Sequence, residues 1–430
     1  MKKTITISMI LGVWASVFAI EIMATSRYRE WTPNAETMPL MLTISTDTTR
    51  NNVGAEQPLQ VLYAIDVSER FAGNIRQEMI MGGRQLVNQL SDNDFFGIIV
   101  YSDFARTILP LSQIGFTGRE RINTLLSEIS TERGRDVLAA LKTIVQEFEQ
   151  NQGRRNDGRS LVLSVLGETL EDGLGNSYAP QMIAAMKNLG VQVYTIGHGD
   201  DFDEIAAISL AEQTGGRAYF VGRERTDLLR SRFERMAPRV AAPVHSSKIE
   251  IEFLTRDGIE IRHFQDSIAI KKAYIPKLIH GDSINLFFEL RNRPRRNSDV
   301  EIDFNYENIT MRSNLSGSAS FRVSLARGNS SNFAEKAEQV IKYQLLFNMA
   351  QTIDELKIGD RAFRRAYAEG FRNLLETRLG HIRNDINTRG IQLFWNEMIA
   401  LHDIINGGTA SNEFIAKMVR YHLHNVRFPE

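Results

Sequence analysis

A short polar run after an apolar stretch is the first place in this sequence where chemistry is concentrated. The mostly apolar residues 59–65 are followed by the pentapeptide 66–70, Asp-Val-Ser-Glu-Arg. Asp66 and Ser68 offer a carboxylate and a hydroxyl, and such oxygens are the ligands that a hard cation such as Mg²⁺ prefers. Arg70 adds a permanent positive charge, and a guanidinium pairs with a carboxylate as a planar fork. The pentapeptide is therefore a candidate binding site.

The segments that position this pentapeptide alternate between strand and helix, which is typical of a parallel sheet covered by helices on both faces. The predicted strands are 59–65, 95–101, 106–109, 161–166, 191–196 and 218–221. The predicted helices are 69–90, 119–129, 137–148, 180–189 and 203–213. Ligands of an open α/β sheet bind beyond the carboxyl ends of its strands. The sequence thus predicts a doubly wound, mostly parallel α/β domain over residues 57–240, with the pentapeptide at its functional edge.

The hydrophobic period changes to two after residue 243. Within residues 244–328, Ile249, Ile251 and Phe253 alternate with charged residues, and this pattern predicts an antiparallel β-sandwich. Residues 25–56 form an extended lead-in, and within it Met41 to Thr46 alternates in the same way. That segment is a possible extra strand of the sandwich.

A helical period returns in residues 331–430 and predicts a C-terminal α-helical region. The predicted helices are 333–356, 360–385, 391–405 and 412–426.

The first 24 residues have the pattern of a targeting segment. Two lysines precede an apolar run over residues 5–19, and the tripeptide 17–19, Val-Phe-Ala, has the small-residue spacing that signal peptidase recognises. A second cleavage site at 22–24 and retention of residues 1–24 as an N-terminal anchor are the alternatives. Each predicts an extracytoplasmic location, whether periplasmic, secreted or at the cell surface.

The composition of the chain excludes several classes of function. The 51 basic and 52 acidic residues leave a net charge of -1, so no overall field attracts nucleic acid, and contact with a membrane is expected only through an uncleaved N-terminal segment. The chain has no cysteine, which excludes thiolate nucleophiles and zinc–thiolate sites. It also lacks a Gly-rich phosphate loop, a Gly-x-Ser-x-Gly elbow and a His-Glu-x-x-His helix. We therefore expect a protein that is not an enzyme.

Five segments in chain order resemble the von Willebrand factor A (vWA) domain. They are the pentapeptide 66–70, residues 91–102, the tripeptide Gly134-Arg135-Asp136, residues 161–168 and residues 194–216. The resemblance implies a Rossmann-like fold and, in the family, a divalent cation held by an Asp-x-Ser-x-Ser loop, a threonine and an aspartate. The sandwich and helices after this domain are similar in arrangement to bacterial proteins resembling calcium-activated chloride channels and inter-α-trypsin inhibitor heavy chains.

The sequence departs from the family's metal-site pattern at three of its five positions. Asp66 and Ser68 match, but Arg70 stands at the second serine, Arg135 at the threonine and Leu166 at the aspartate. One carboxylate and one hydroxyl do not offset the dehydration of Mg²⁺, and two guanidinium groups repel it. The resemblance therefore implies a degenerate site that needs no cofactor.

A cation site rebuilt from other oxygens is the alternative. In it, Asp66 and Ser68 are joined by a displaced Thr131 or by Glu168 and bind Mg²⁺ or Mn²⁺ weakly.

The resulting functional hypothesis is an exported scaffold that recognises a protein partner without a metal ion. Its expected binding residues are Asp66, Ser68, Arg70, Arg135 and Glu168. In one version the arginines present positive charge to an acidic residue of the partner. In the other they only neutralise the aspartate, and recognition lies elsewhere. The rival hypotheses are a metal-dependent vWA adhesin and an assembly cofactor of an envelope complex.

Overall fold

The computed structural model describes most of the chain before residue 327 and two parts of the remainder. The described residues are 20–26, 30–46, 58–134, 137–151, 158–165, 179–199, 202–222, 225–264, 268–309, 312–326, parts of 339–350, and 412–428. They contain one six-stranded sheet and two four-stranded sheets.

The α/β unit comes after a lead-in of two strands, β1 (Ile20–Ser26) and β2 (Thr37–Thr46). Its strands are β3 (Gln60–Asp66), β4 (Phe95–Tyr101), β5 (Ala105–Gln113), β6 (Arg159–Val165), β7 (Val191–His198) and β8 (Ala218–Val221). Its helices are α1 (Gly73–Gln89), α2 (Ile114–Thr117), α3 (Arg119–Glu128), α4 (Val137–Gln150), α5 (Ala179–Asn188), α6 (Glu204–Thr214) and α7 (Leu228–Val240).

The six strands lie in the order β5-β4-β3-β6-β7-β8, and only β5 runs antiparallel to its neighbour. Every residue of β3 and β7 is buried, as expected for strands that are covered on both faces. Helices α1, α3 and α7 cover one face, and α4, α5 and α6 cover the other. The prediction of a doubly wound, mostly parallel α/β sheet is confirmed.

The second unit is a sandwich of two antiparallel sheets, β1-β2-β12-β10 and β11-β9-β13-β14. Its strands are β1 (Ile20–Ser26), β2 (Thr37–Thr46), β9 (Val244–Leu254), β10 (Glu260–His263), β11 (Lys272–Ile279), β12 (Ser283–Arg291), β13 (Ser298–Asn308) and β14 (Ser313–Val323). Alternate apolar residues of both sheets face each other and form one core.

The amino-terminal strands are integral to this sandwich. Residues 41–46, the possible extra strand, lie in β2, which pairs with β12 along its whole length. Residues 20–24, which the sequence assigns to the targeting segment, lie in β1, which pairs with β2.

The described part of the C-terminal region includes helix α8 (Asn412–Arg427), which packs on α6 and β8 and also contacts β12. The predicted helices 360–385 and 391–405 lie outside the described residues. Within the part of the chain that the structure describes, no helix is long and apolar enough to cross a membrane.

Candidate functional site

The candidate site lies where the chain changes direction across the six-stranded sheet. From β3 the chain passes to β4 on one side and later returns to β6 on the other. Such a switch point opens a crevice at the carboxyl ends of the two central strands. Asp66, the last residue of β3, stands there with 1% of its surface exposed. We call this side of the sheet, with the described loops that follow β3, β4 and β7, the strand-end edge.

Three central strands position Asp66. Its backbone N–H donates to Oγ of Ser164 on β6 at 2.8 Å, and its Oδ1 accepts from the backbone N–H of Ser68 at 2.9 Å. The Ser164 carbonyl in turn accepts from the Tyr101 hydroxyl of β4 at 2.5 Å. The backbone of Asp66 is thus held by a buried network, and its carboxylate is held by the Ser68 N–H. Ser164 could not be found from the sequence, because a single serine in an apolar strand gives no signal beyond its polarity.

Ser68 contributes a buried hydroxyl to the strand-end edge. Its side chain is 1% exposed, and Oγ has no hydrogen-bond partner among the residues that the structure describes. A buried hydroxyl without a partner is unfavourable by roughly 1–3 kcal/mol. A group bound at the strand-end edge would remove that penalty.

The loop before α4 is bonded to the pentapeptide and to the loop after β4. The Glu132 backbone N–H donates to the Val67 carbonyl at 2.7 Å, and its carboxylate accepts from the Ser102 hydroxyl at 3.0 Å and pairs with Arg106. Thr131, the displaced ligand of the alternative hypothesis, donates its hydroxyl to the Phe71 carbonyl. Both residues therefore hold loops together in this structure.

Arg70 is half-buried and reaches toward the loop after β7. A Cβ placed on Gly199 would lie 3.2 Å from Nη1 of Arg70. The neighbouring His198 is buried at the end of β7, and its Nε2 lies 3.1 Å from Oγ1 of Thr226. The arginine therefore lies across the strand-end edge, between the loops that follow β3 and β7.

The predicted site residues divide into those that the structure places and those that it does not describe. Asp66, Ser68 and Arg70 share the strand-end edge, and the loop of Thr131 borders it. The remaining predicted positions, Arg135, Leu166 and Glu168, lie outside the described residues.

The described donor set fits a divalent cation poorly. Mg²⁺ requires six oxygen ligands in nearly octahedral geometry. The strand-end edge offers the Asp66 carboxylate and the Ser68 hydroxyl, with the Arg70 guanidinium in the adjoining loop. In the described ranges, no three acidic or histidine side chains gather as a metal-binding group.

An exposed aromatic side chain stands on the rim of the same edge. Phe104 lies at the tip between β4 and β5 and is 78% exposed. Its neighbour Ser102 is bonded to Glu132, so the tip is tied to the loop that borders Asp66. Large exposed aromatic residues are frequent anchors of protein interfaces.

Residues 61–231 match the family model of the von Willebrand factor type A domain. Together with the sheet order and the strand-end Asp66, this match identifies the α/β unit as a vWA domain, a class of domain that mediates protein–protein interactions.

Solved structures resemble the chain well beyond that domain. One, a von Willebrand factor type A protein from Catenulispora acidiphila, is 10% identical over 87% of this chain and 89% of its own, with a TM-score of 0.59. Another, the ArnB paralog VWA2 from Sulfolobus acidocaldarius, is 15% identical over 95% and 98%, with a TM-score of 0.56. At these identities the likeness shows the fold alone. No curated protein sequence matches the chain.

Proposed function

We propose that this chain is an extracytoplasmic, non-enzymatic scaffold whose vWA domain binds a protein partner at the strand-end edge without a metal ion. The observation that carries the proposal is Phe104, 78% exposed on the rim beside the buried Asp66 and Ser68. An apolar anchor next to a polar crevice is the arrangement that protein interfaces use, since the anchor supplies affinity and the crevice supplies specificity.

Charge supports the metal-independent form of this proposal. Arg70 lies across the strand-end edge, and Arg135 and Leu166 occupy two further positions where the family has metal ligands. Replacing oxygen ligands by guanidinium groups removes coordination and adds repulsion, so a cation binds less well on both counts. The same guanidinium groups attract an acidic side chain of a partner.

Site-specific photocrosslinking tests where the partner binds. Benzoylphenylalanine replaces Phe104 in one variant and Phe116 in a control variant. Phe116 is 95% exposed and lies in α2, at the end of β5 opposite to Phe104. We expect irradiation of cells to give a discrete protein adduct at position 104 and not at 116, with equal yield after treatment with EDTA. Equal adducts at both positions, or loss of the adduct in EDTA, would refute the proposal.

The role of the arginines is a separate question within this proposal. If they contact an acidic residue of the partner, changing Arg70 and Arg135 together to Ala will reduce the adduct at position 104. If they only neutralise Asp66, the doubly substituted protein will keep its adduct. A matched Arg295→Ala, Arg296→Ala variant, in the turn before β13, controls for the loss of two positive charges.

The Ser68 hydroxyl, which has no hydrogen-bond partner among the described residues, favours a second candidate function, a vWA adhesin with a weak cation site on Asp66 and Ser68. Calorimetric titration with MgCl₂ and MnCl₂ distinguishes the two. Heat with one-to-one stoichiometry that disappears in Asp66→Asn supports the adhesin, whereas no heat in the wild-type protein removes it.

The extracytoplasmic location rests on the amino-terminal pattern and is compatible with the sandwich. Cleavage after Ala19 would leave all of β1, Ile20–Ser26, whereas cleavage after Ala24 would remove five of its seven residues. We therefore expect the exported protein to begin at Ile20. Amino-terminal sequencing of the mature protein tests this, and a chain that begins at residue 25 would contradict it.

A further inference from the structure

Strand β14 (Ser313–Val323) forms one edge of its sheet and pairs regularly with β13, its single neighbouring strand in the described part of the chain. It pairs with β13 over eleven consecutive positions, from Asn308↔Ser313 to Ser298↔Val323, without a register shift. Among the residues that the structure describes, no strand pairs with its other edge. A regular edge of this length presents a row of backbone donors and acceptors to solvent.

The other three sheet edges of the sandwich carry features that discourage pairing, and β14 does not. β10 has only four residues, and β1 has seven with an exposed Glu21. β11 contains Pro276 and has a register shift near its end. Short length, charge, proline and bulges are the usual protections of an edge strand. β14 lacks proline and bulges, and its one charged residue, Arg322, is next to its end.

The inner face of β14 is also incompletely covered. Leu315, Ala319 and Phe321 pack against the sandwich core but remain only partly buried. These three side chains therefore keep some accessible surface along this edge. A strand added beside β14 would bury these side chains further and gain the corresponding hydrophobic free energy.

The sequence of β14 is complementary to a second copy of itself when the two strands are antiparallel and overlap along their whole length. An antiparallel pair of β14 strands that places Ser318 opposite its own copy uses all eleven residues. On the outer face it places Asn314 opposite Arg322, and on the inner face it places Leu315 opposite Phe321. No like charges meet, and apolar cross-strand pairs of this kind stabilise a sheet.

We propose that β14 pairs with β14 of a second copy of this chain, about a twofold axis at Ser318, and fuses the two four-stranded sheets into one eight-stranded sheet. The acidic residues of β13, Asp299, Glu301 and Asp303, do not oppose this arrangement. The two β13 strands would be separated by three strand spacings, roughly 14 Å. Their mutual repulsion is largely screened at that distance under physiological salt.

Cysteine crosslinking of the full chain tests the proposal, because the natural sequence contains no thiol. In the proposed pair, two Ser318→Cys side chains face each other across the axis, within the separation that a disulfide requires. In a matched Ser316→Cys control, the two thiols are about 13 Å apart along the strands, although both positions lie on the same exposed face.

We expect oxidation to convert Ser318→Cys into a covalent dimer at least about tenfold faster than Ser316→Cys, since only the former satisfies disulfide geometry. Labelling with a monofunctional maleimide should proceed at equal rates in both variants and so controls for thiol exposure. Equal dimer yields would overturn the proposal, as would a covalent dimer that forms only in the Ser316→Cys variant.

Sedimentation equilibrium of the full chain supplies an independent measure. In the proposed dimer, Ser318→Lys places two lysines opposite each other at the axis. Within its own sheet the new lysine faces Asp303, an opposite charge, so we expect the variant to fold. Ser320→Lys faces Glu301 in its own sheet and Ser316 of the second copy, and is the matched control. We expect a several-fold weaker self-association for Ser318→Lys than for the control. A wild-type protein that stays monomeric at all accessible concentrations would contradict the proposal.

Discussion

The backbone N–H of Ala218 donates to Nε2 of His424 at 3.1 Å, and Nδ1 of the same ring lies 2.8 Å from Oε1 of Glu212. Because a backbone N–H can only donate, Nε2 must be the acceptor and Nδ1 must carry the proton. The geometry therefore selects one neutral tautomer of His424. This ring joins helix α8 to β8, the edge strand of the vWA sheet, and to α6.

The stability of the protein should fall as the pH falls below the ordinary pKa of histidine. Burial lowers the pKa of His424, and the nearby Arg217 and Arg427 act in the same direction against Glu212. The unfolded chain therefore binds a proton at His424 more readily than the folded chain does. This contribution to stability is complete above about pH 6.5 and is lost as the pH falls toward the folded pKa.

Urea denaturation between pH 7.5 and 5.5 measures this effect. His424→Gln keeps an acceptor for Ala218 and a donor for Glu212 but does not titrate in this range. We expect its free energy of unfolding to depend less on pH than that of the wild-type protein. Parallel pH profiles for the two proteins would show that His424 does not couple protonation to folding.

A buried carboxylate joins the vWA domain to the sandwich. Asp282, before β12, accepts from Arg217 at 2.6 Å and from Arg239 at 2.5 Å, and its side chain is 8% exposed. Asp282→Asn leaves two largely buried guanidinium groups without their counter-charge. We expect the free energy of unfolding to fall by about 3–5 kcal/mol, as measured by chemical denaturation.

An exposed ion pair provides the control for this change. Asp92 pairs with Arg119 at 2.8 Å, but the Asp92 side chain is 74% exposed. Asp92→Asn should lower the free energy of unfolding by at most about 1 kcal/mol. Similar losses in the two variants would mean that the buried cluster around Asp282 contributes no more than a surface pair.

The sequence predicted the elements that local patterns determine. Strands β3 and β4 are mostly apolar, and most residues of β7 from Val191 to Ile196 are apolar, so the positions of these strands follow from that pattern. β5 is longer than the predicted 106–109, because an edge strand tolerates the exposed Pro110 within it. Helix α1 begins at Gly73 rather than at residue 69, because the Phe71 N–H donates to the Ser68 carbonyl in a turn.

Contacts between distant parts of the chain could not be predicted in this way. The position of Asp66 at a strand end follows from a local pattern, but its partner Ser164 lies 98 residues away. The bond between Ala218 and His424 spans 206 residues. β1 has the same apolar character as a targeting segment, and only its pairing with β2 identifies it as a strand. Such pairings depend on how the whole chain packs, so a local sequence pattern does not predict them.

A glycine that lets two strands approach closely should be irreplaceable. A Cβ on Gly216, before β8, would lie 1.9 Å from the carbonyl oxygen of Val193, a buried residue in the middle of β7. We expect Gly216→Ala to lower the free energy of unfolding by at least about 3 kcal/mol in thermal or urea denaturation.

Gly258→Ala is the matched substitution. Gly258 has a φ of +78° and open space around its Cβ position, so alanine there introduces backbone strain alone. Its expected effect is roughly 1–2 kcal/mol. If Gly258→Ala were as destabilising as Gly216→Ala, the close approach of β7 to residue 216 would not be the limiting contact.

The bond from Asp66 to Ser164 should contribute to both the stability of the sheet and the position of the carboxylate. Ser164→Ala removes the acceptor of the Asp66 N–H at a site where both residues are buried. A buried donor left without an acceptor lowers the free energy of unfolding by about 1–3 kcal/mol. Chemical denaturation measures this change.

Ser112→Ala removes a comparable hydroxyl, whose Oγ donates to the Pro110 carbonyl at the solvent-exposed side of β5. Water replaces that bond, so its loss should change stability by no more than about 0.5 kcal/mol. The photocrosslinking yield at position 104 then separates the two roles of Ser164. If the folded Ser164→Ala protein keeps the wild-type adduct, the serine stabilises the sheet without positioning Asp66 for recognition, whereas a reduced adduct assigns it both roles.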